Sequence, residues 1–549
     1  MEGSAGTNDE AGAPEGPGRP RRDVGVWARR AVQAVSLGAF LWLLLRTDLS
    51  PARPGDADAL PLPVRVFFDM DPLAAVSTLL SSGVLYRGLV LALAVVAATM
   101  LLGRVFCGWF CPLGTLQQIA GLRRNAAARR DRNRYGRGQR VKYGVLLACL
   151  GAAVAGSAAG MLLDPISIAF RGVALGVLPA GGRAARDVME AAYDAGPPAS
   201  YVGDGLRYFF AEGYLPFRDA AFQSALAIAG ILILVLGLAR LRPRFFCRFV
   251  CPLGALLGLL SRWSLPSLRK DPDRCNGCRK CLDHCQGADG PEAAVQWRKA
   301  ECHLCLNCTA SCPEKALEFR LAPIGPAEPA VAGADARRRT LLAAFVSGAA
   351  AVPLMRISPL HGAAPDPRRI RPPGALPEKR FLARCIRCGE CMKVCPTNAL
   401  QPAVTEAGVE GFWTPVLVPR IGDCQPGCTL CWQVCPTGAI RRFTDERKLG
   451  ADGRPPLRIG TARIDRGACL PWANGVQCIV CEEFCPTSPK AIRLEPGPTP
   501  DAPRLPVIDL ERCNGCGACE KVCPLAPAPA IVVTAGGETR AEERHMIPR

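Results

Sequence analysis

The spacing of its cysteines limits this chain more than any other feature. Of 29 cysteines in 549 residues, 24 fall into six runs of four. The first run is Cys275, Cys278, Cys281 and Cys285; the second is Cys302, Cys305, Cys308 and Cys312, followed by Pro313. Next come Cys385, Cys388, Cys391 and Cys395 with Pro396, then Cys424, Cys428, Cys431 and Cys435 with Pro436. The last two are Cys469, Cys478, Cys481 and Cys485 with Pro486, and Cys513, Cys516, Cys519 and Cys523 with Pro524. A C-x2-C-x2-C-x3-C-P run holds [4Fe-4S] cubes. Disulfide frameworks are looser and belong to small secreted chains. Structural zinc is the rival, but four-cysteine runs ending in proline suit it poorly.

In tandem runs of the bacterial ferredoxin kind, three thiolates wrap one cube and the fourth ligates the partner cube. The expected ligand sets are therefore crossed. Cys275, Cys278 and Cys281 join Cys312, while Cys302, Cys305 and Cys308 join Cys285. The later pairs cross through Cys435 and Cys395, then through Cys523 and Cys485. Three departures mark inserted or altered loops: Gln286 in place of proline, C-x3-C at Cys424, and C-x8-C at Cys469. His303 lies between ligands and reads as a surface residue. The chain has four histidines, none in an apolar segment, and no C-x-x-C-H, which argues against haem.

Apolar stretches near 26–46, 88–106, 141–163 and 221–240 approach the roughly 20 residues of a membrane-crossing helix. The basic residues are lopsided. Arg21, Arg22, Arg29 and Arg30 precede the first stretch, nine arginines lie from Arg104 to Arg140, and Arg240, Arg242, Arg244 and Arg248 follow the fourth. That bias puts the N-terminus, the 104–140 loop and the segment after the fourth stretch in the cytoplasm. It also accounts for much of the +19 formal charge without nucleic acid. The resulting fold class is an α-helical membrane bundle of four spans, a fifth signal-like segment, and α+β 2[4Fe-4S] domains.

The apolar half repeats itself. "VFCGWFCPLGTL" at 105–116 returns as "FFCRFVCPLGAL" at 245–256. An Asp-Pro segment precedes each copy, with Asp71 and Asp164 on the opposite side. Cys107, Cys111, Cys247 and Cys251 thus occupy matching places at the cytoplasmic face. Three fates stay open for them: reducible disulfides, a further metal or small iron–sulfur centre, or tight helix packing. Of these, the redox site is the reading adopted. Asp71 and Asp164 read as helix starts or proton-release groups. Cys149, alone in the third stretch, reads as a small buried apolar residue.

Between the second and third runs, "ARRRTLLAAFVSGAAAVPLM" at 336–355 resembles a twin-arginine export signal, through Arg338-Arg339-Thr340-Leu341-Leu342. With these motifs, residues 26–322 resemble the NapH-type membrane quinol dehydrogenase subunit, and residues 335–535 its NapG/MauM-type partner. The resemblance implies six [4Fe-4S] clusters and quinol as electron donor. Its implied partners are the membrane quinone pool, the lipid bilayer, and a periplasmic reductase or its cytochrome donor, with no nucleic acid. It implies a multi-pass protein of the bacterial inner membrane, with a cytoplasmic N-terminus and an exported C-terminal domain. Family members are usually separate polypeptides, so the fusion is a departure.

The expected domains are a disordered tail 1–25, a membrane domain 26–264, a cytoplasmic ferredoxin domain 265–322, a linker with the signal-like segment 323–365, a periplasmic polyferredoxin domain 366–535 and a tail 536–549. No G-x-S-x-G, P-loop or H-E-x-x-H motif occurs, which suits a relay subunit rather than a terminal enzyme. Three alternatives carry less of the pattern. A NosR-type activator of nitrous-oxide reductase would need a large N-terminal flavin domain, and an oxidase-assembly protein would lack the four later runs. A redox sensor would need only one cluster.

Overall fold

The computed structural model describes residues 24–540, apart from 47–64, 85, 87, 89, 122–129, 131, 212–219, 293–296, 322–333 and 358–365. Most of the expected tail 1–25 and the last nine residues of the tail 536–549 lie outside the described residues. The apolar half forms α1 (Val24–Arg46), α2 (Pro72–Ser82), α3 (Val90–Leu102), α4 (Pro112–Ala120), α5 (Val141–Val154), α6 (Pro165–Arg171), α7 (Ala225–Leu238) and α8 (Pro252–Leu260). A later helix, α9 (Ala334–Ile357), joins it. Four of these helices start on a residue followed by proline: Asp71 for α2, Cys111 for α4, Asp164 for α6 and Cys251 for α8. Proline at the first helical position gives up an N–H that has no partner there anyway. The preceding side chain can then cap the helix. Asp71 accepts from Leu73 N at 2.9 Å, Asp164 from Ser167 N at 2.6 Å, and Cys251 Sγ from Gly254 N at 3.1 Å.

The repeats pack by exchanging partners. α1 lies along α4, and α5 along α8, each within its own repeat. Across the repeats, α4 packs on α6 and α7, while α8 packs on α2 and α3. This exchange is what a pseudo-twofold relation between the halves produces.

Helix length meets the expectation of four spans only in part. Among the described residues, only Val24–Leu45 and Pro165–Asp194 are long and apolar enough to cross a membrane. α3 has 13 residues, and α5 and α7 have 14 each. Gly103, at φ 80°, ends α3 before the first Cys-Pro motif. Between the third and fourth apolar stretches lies α6, which runs on through a π-type turn (Gly172–Val177) into Leu178–Asp194.

The cysteine runs build small α+β units on two-stranded antiparallel sheets. β1 (Pro266–Lys270) pairs with β2 (Leu317–Leu321), and β3 (Leu400–Pro402) with β4 (Pro415–Leu417). β5 (Thr461–Ile464) pairs with β8 (Ile531–Thr534), enclosing the pair β6 (Ile492–Glu495) and β7 (Leu505–Ile508). Sheets this small enclose little apolar core of their own, so buried cysteines make up much of it.

These units cap opposite ends of the helices. Tyr86, ahead of α3, lies against Gly438, whereas Gly103 beyond it lies against Leu304 and Ser264. Ahead of α7, Ala221 O accepts from Asn398 Nδ2 at 2.7 Å; beyond α7, Arg244 reaches Cys107. The module containing β1–β2 therefore sits at one end, the inner end. The module from Asp366 onward sits at the other, the outer end, about 20 Å away along α3 at 1.5 Å per residue.

α9, the segment expected as signal-like, is one helix running parallel to α5 from the inner toward the outer end. Gly144 faces Ala344, Gly348 meets the backbone of Ala148, and Gly151 meets Phe345 and Ala349. Small residues at these points let the two backbones touch. Arg356 at its end pairs with Glu410 of the outer module at 2.7 Å.

Candidate iron–sulfur and redox centres

Four of the six runs share a backbone feature. The residues on either side of the second cysteine both have positive φ: Gly277 and Arg279, Leu304 and Leu306, Arg387 and Gly389, Gly515 and Gly517. Such turns aim successive N–H groups into the loop, as an anion-binding nest does. For Arg279, Leu304, Leu306 and Arg387 the conformation is costly, and it persists where surroundings over-determine it. Among the described residues, the runs at Cys424 and Cys469 lack the pair, because their first spacing is longer.

The side chains gather in crossed sets. One hollow is lined by Cys424, Cys428, Cys431 and Cys395, with Pro396. A second is lined by Cys469, Cys478, Cys481 and Cys523, with Pro524, and a third by Cys513, Cys516, Cys519 and Cys485, with Pro486. Cys435 neighbours Cys385, Cys388 and Cys391. In the inner module, Cys312 and Cys278 neighbour Cys281, while Cys305 neighbours Cys285, Cys302 and Cys308. Cys275 stands half-buried at the start of its run.

These sets fit a cube. Among the described residues, no three His, Cys, Asp or Glu side chains close on a point as one metal ion requires. Three groups of four thiols instead line hollows. Burial first, and then Asp289 at Cys302, Glu390 at Cys388 and the neighbouring thiols at Cys391, raise these three thiols well above their ordinary value. Four thiolates are stable together there only with a cationic metal core between them.

The outer hollows also stand in order. Cys391 neighbours Cys431, joining the Cys385 and Cys424 sets, and Cys424 N donates to Cys516 O at 2.8 Å, joining the Cys424 and Cys513 sets. The set with Cys469 comes last, at the tip.

At the inner end the structure brings together Cys107, Cys111, Cys247 and Cys251, all buried. Two arginines serve them crosswise. Arg244 Nη1 donates to Cys107 O at 2.7 Å, and Arg104 lies against Gly254 and donates to Ala300 O at 2.9 Å. Both are buried, and Arg104 Nε and Nη2 and Arg244 Nε have no hydrogen-bond partner. Glu301 pairs with Lys142 and, at 3.8 Å, with Arg104. The sequence signal for this basic lining was R-x-x-C-x-x-x-C-P in both copies, at Arg104 and Arg244.

His303 corrects its expected surface position. It is only 1 % exposed, against Gly108 of the first motif, and neither ring nitrogen has a partner. It is buried because the inner module seats its second run directly on the turn that carries Cys107.

At the outer end Asp71 and Asp164 meet. Both are fully buried, and their carboxyl groups are neighbours. Arg171 stands between Asp164 and the Cys385–Cys388 loop, donating from Nη1 to Arg387 O at 2.7 Å and lying 5.2 Å from the Trp413 ring.

A family model described as a 4Fe-4S binding domain matches twice, at residues 84–129 and 223–270, each time across one C-x-x-x-C-P motif. A 4Fe-4S dicluster domain matches 384–439, and another 4Fe-4S binding domain matches 503–525. The methylamine utilization ferredoxin-type protein MauM of Paracoccus denitrificans is 38 % identical over 171 residues, which is 31 % of this chain and 72 % of that protein. The ferredoxin-type protein NapG of Escherichia coli is 38 % identical over 170 residues, 30 % of this chain and 70 % of that protein. This chain belongs to the NapG/MauM ferredoxin-type family. The ferredoxin-type protein NapF of Escherichia coli is a more distant relative, 32 % identical over 161 residues, 29 % of this chain and 84 % of that protein. No solved structure matches. Like these family members, the chain is an iron–sulfur electron-transfer protein, and it carries several cluster-binding domains and an internal repeat.

Proposed function

We propose that the chain is a membrane-bound relay that takes electrons from quinol and passes them along six [4Fe-4S] cubes toward a periplasmic reductase or its cytochrome donor. The 24 cysteines of the six runs ligate the cubes in the crossed sets given above. The N-terminal half acts as the NapH-type partner, fused to its polyferredoxin through α9, with the inner module cytoplasmic and the outer one exported. The two candidate membrane-crossing helices support an inner-membrane location, and the arginine bias supports this orientation.

The observation that carries the reading is continuity. Cys391 neighbours Cys431, and Cys424 bonds to Cys516, so the outer hollows form one line that starts at the helical bundle. When bound, the cubes supply one-electron steps with little rearrangement. This chain's residues hold each cube, space them and bury them. Cys107, Cys111, Cys247 and Cys251 act as a further redox centre at the inner end. The buried guanidiniums of Arg104 and Arg244, each with an Nε that has no partner, would offset the negative charge of a metal–thiolate centre held there.

The test uses purified full-length protein in liposomes containing a reduced quinone. About 24 iron per chain is expected from six cubes, and about four more if the membrane thiols hold a cube. Quinol should bleach the absorbance near roughly 400 nm. Bleaching by dithionite but never by quinol would overturn the relay reading. Full quinol reduction in each of the four single Cys-to-Ser variants of the membrane thiols would reduce them to a packing role.

A further inference from the structure

We infer that Asp71 and Asp164 act as one proton-binding pair, coupled to electron entry into the cube held by Cys385, Cys388, Cys391 and Cys435. The inference rests on the relay reading for its electron source.

Helix capping alone does not account for the pair. Each cap uses one carboxylate oxygen, toward Leu73 N or Ser167 N. Serine or asparagine would cap as well without bringing a charge into the interior. Instead the two repeats place a carboxyl at the same position, and the packing brings both to one point with no exposed surface. Asp71 Oδ2 and Asp164 Oδ1 have no hydrogen-bond partner, nor does the buried hydroxyl of Ser167 beside them. Two buried carboxyl groups in contact cannot both be ionised, so one proton stays between them and the pair carries a single negative charge. Arg171 faces that charge from α6. The other charged groups on the surrounding elements are Asp69, paired with Arg65 at 3.3 Å, then Arg387, and Glu390 beyond Asp69.

Arg171 also makes the link to the cube. It is shared between Asp164 and the loop of Cys385 and Cys388, so charge added on one side is felt on the other. The step then balances. A quinol O–H bond breaks; its electron enters the oxidised cube, and its proton joins the pair, leaving two neutral carboxyl groups. The added negative and positive charges sit on either side of Arg171. The electron moves on along the outer cubes, the proton leaves to solvent, and a second round turns quinol into quinone.

The experiment uses the full-length holoprotein reduced by dithionite, so a failure of quinol to act as donor does not affect it. In the wild type, the midpoint potential of one cube should fall with pH by about 59 mV per unit, a tenfold change in proton activity for a one-electron step. The reduced-minus-oxidised infrared spectrum should gain a protonated-carboxyl band. Asp71→Asn and Asp164→Asn keep a capping side chain and the iron content, yet should flatten the slope and remove the band. A pH-independent potential for every cube in the wild type overturns the inference without any variant. So does a slope and band that survive both substitutions.

Discussion

The two ends of the helical bundle come from one duplicated unit, yet they differ in chemistry. The inner end collects four thiols, Arg104, Arg244, Lys142 and His303, with Glu301 as their carboxylate. The outer end collects two carboxyl groups and Arg171. The contrast follows from where proline begins each helix. Asp-Pro starts α2 and α6 at one end, and Cys-Pro starts α4 and α8 at the other. Duplication then doubles each group, and the exchange of partners between repeats brings the doubles together. A single capping residue is a local device; the same residue twice on one axis becomes a site.

The sharpest way to break the contrast is at the inner end. Glu301→Gln should destabilise the seating of the inner module by about 3–5 kcal/mol, since Lys142 and Arg104 would then be buried cations without a carboxylate. Denaturant melts of the intact protein, with protease cleavage near Ala300 as a second readout, would check this. A loss below about 1 kcal/mol would mean that the inner end does not depend on charge balance.

The outer module offers a milder counterpart. Burial opposes the charged form of Glu378, but Arg371, Arg369 and Arg540 outweigh it and hold its carboxyl far below the ordinary value. Arg371 Nη2 bonds to it at 2.6 Å and Arg540 Nη1 at 2.9 Å. A lowered folded value stabilises above the unfolded glutamate value near roughly 4.3 and is lost as pH falls below it. Glu378→Gln should therefore cost about 2 kcal/mol at neutral pH and progressively less in acid. Melting both proteins from neutral pH downward would show the two curves converging; a constant gap would contradict the assignment.

The smallest effect belongs to a pair far from either end. Lys521 and Asp423 lie 2.7 Å apart but are 40 % and 22 % exposed. Lys521→Ala should change stability by less than about 1 kcal/mol and vanish into the background in high salt. A larger loss there would make surface charge, not the buried ends, the main electrostatic support.

Much of this organisation was legible in the sequence. Tandem spacing predicts crossed groups of cysteines, and the hollows around Cys424, Cys469 and Cys513 gather cysteines in that arrangement. Cysteine spacing is legible because cluster ligation depends on short loops, which are local. Helix length was less so. Hydropathy gave stretches of about 20 residues, but α3, α5 and α7 stop at 13 or 14 residues, because apolar composition continues where the helical backbone does not. The burial of His303 was not legible at all, since it depends on which surface of the inner module meets the turn at Gly108.

By itself, then, the sequence determined the inventory: six cysteine runs, two Cys-Pro and two Asp-Pro helix starts, and a basic segment between the modules. These depend on neighbours within a few residues of each other, where spacing and backbone preference decide the outcome. Only the tertiary structure decided the meetings: Asp71 with Asp164, Cys107 and Cys111 with Cys247 and Cys251, Arg171 with the loop at Cys388, and Cys424 with Cys516. Each joins residues about 90 or more positions apart, and no local preference encodes such a distance. Packing between the repeats and against the modules brings them together, because burying both apolar halves against each other leaves their matched polar residues facing one axis.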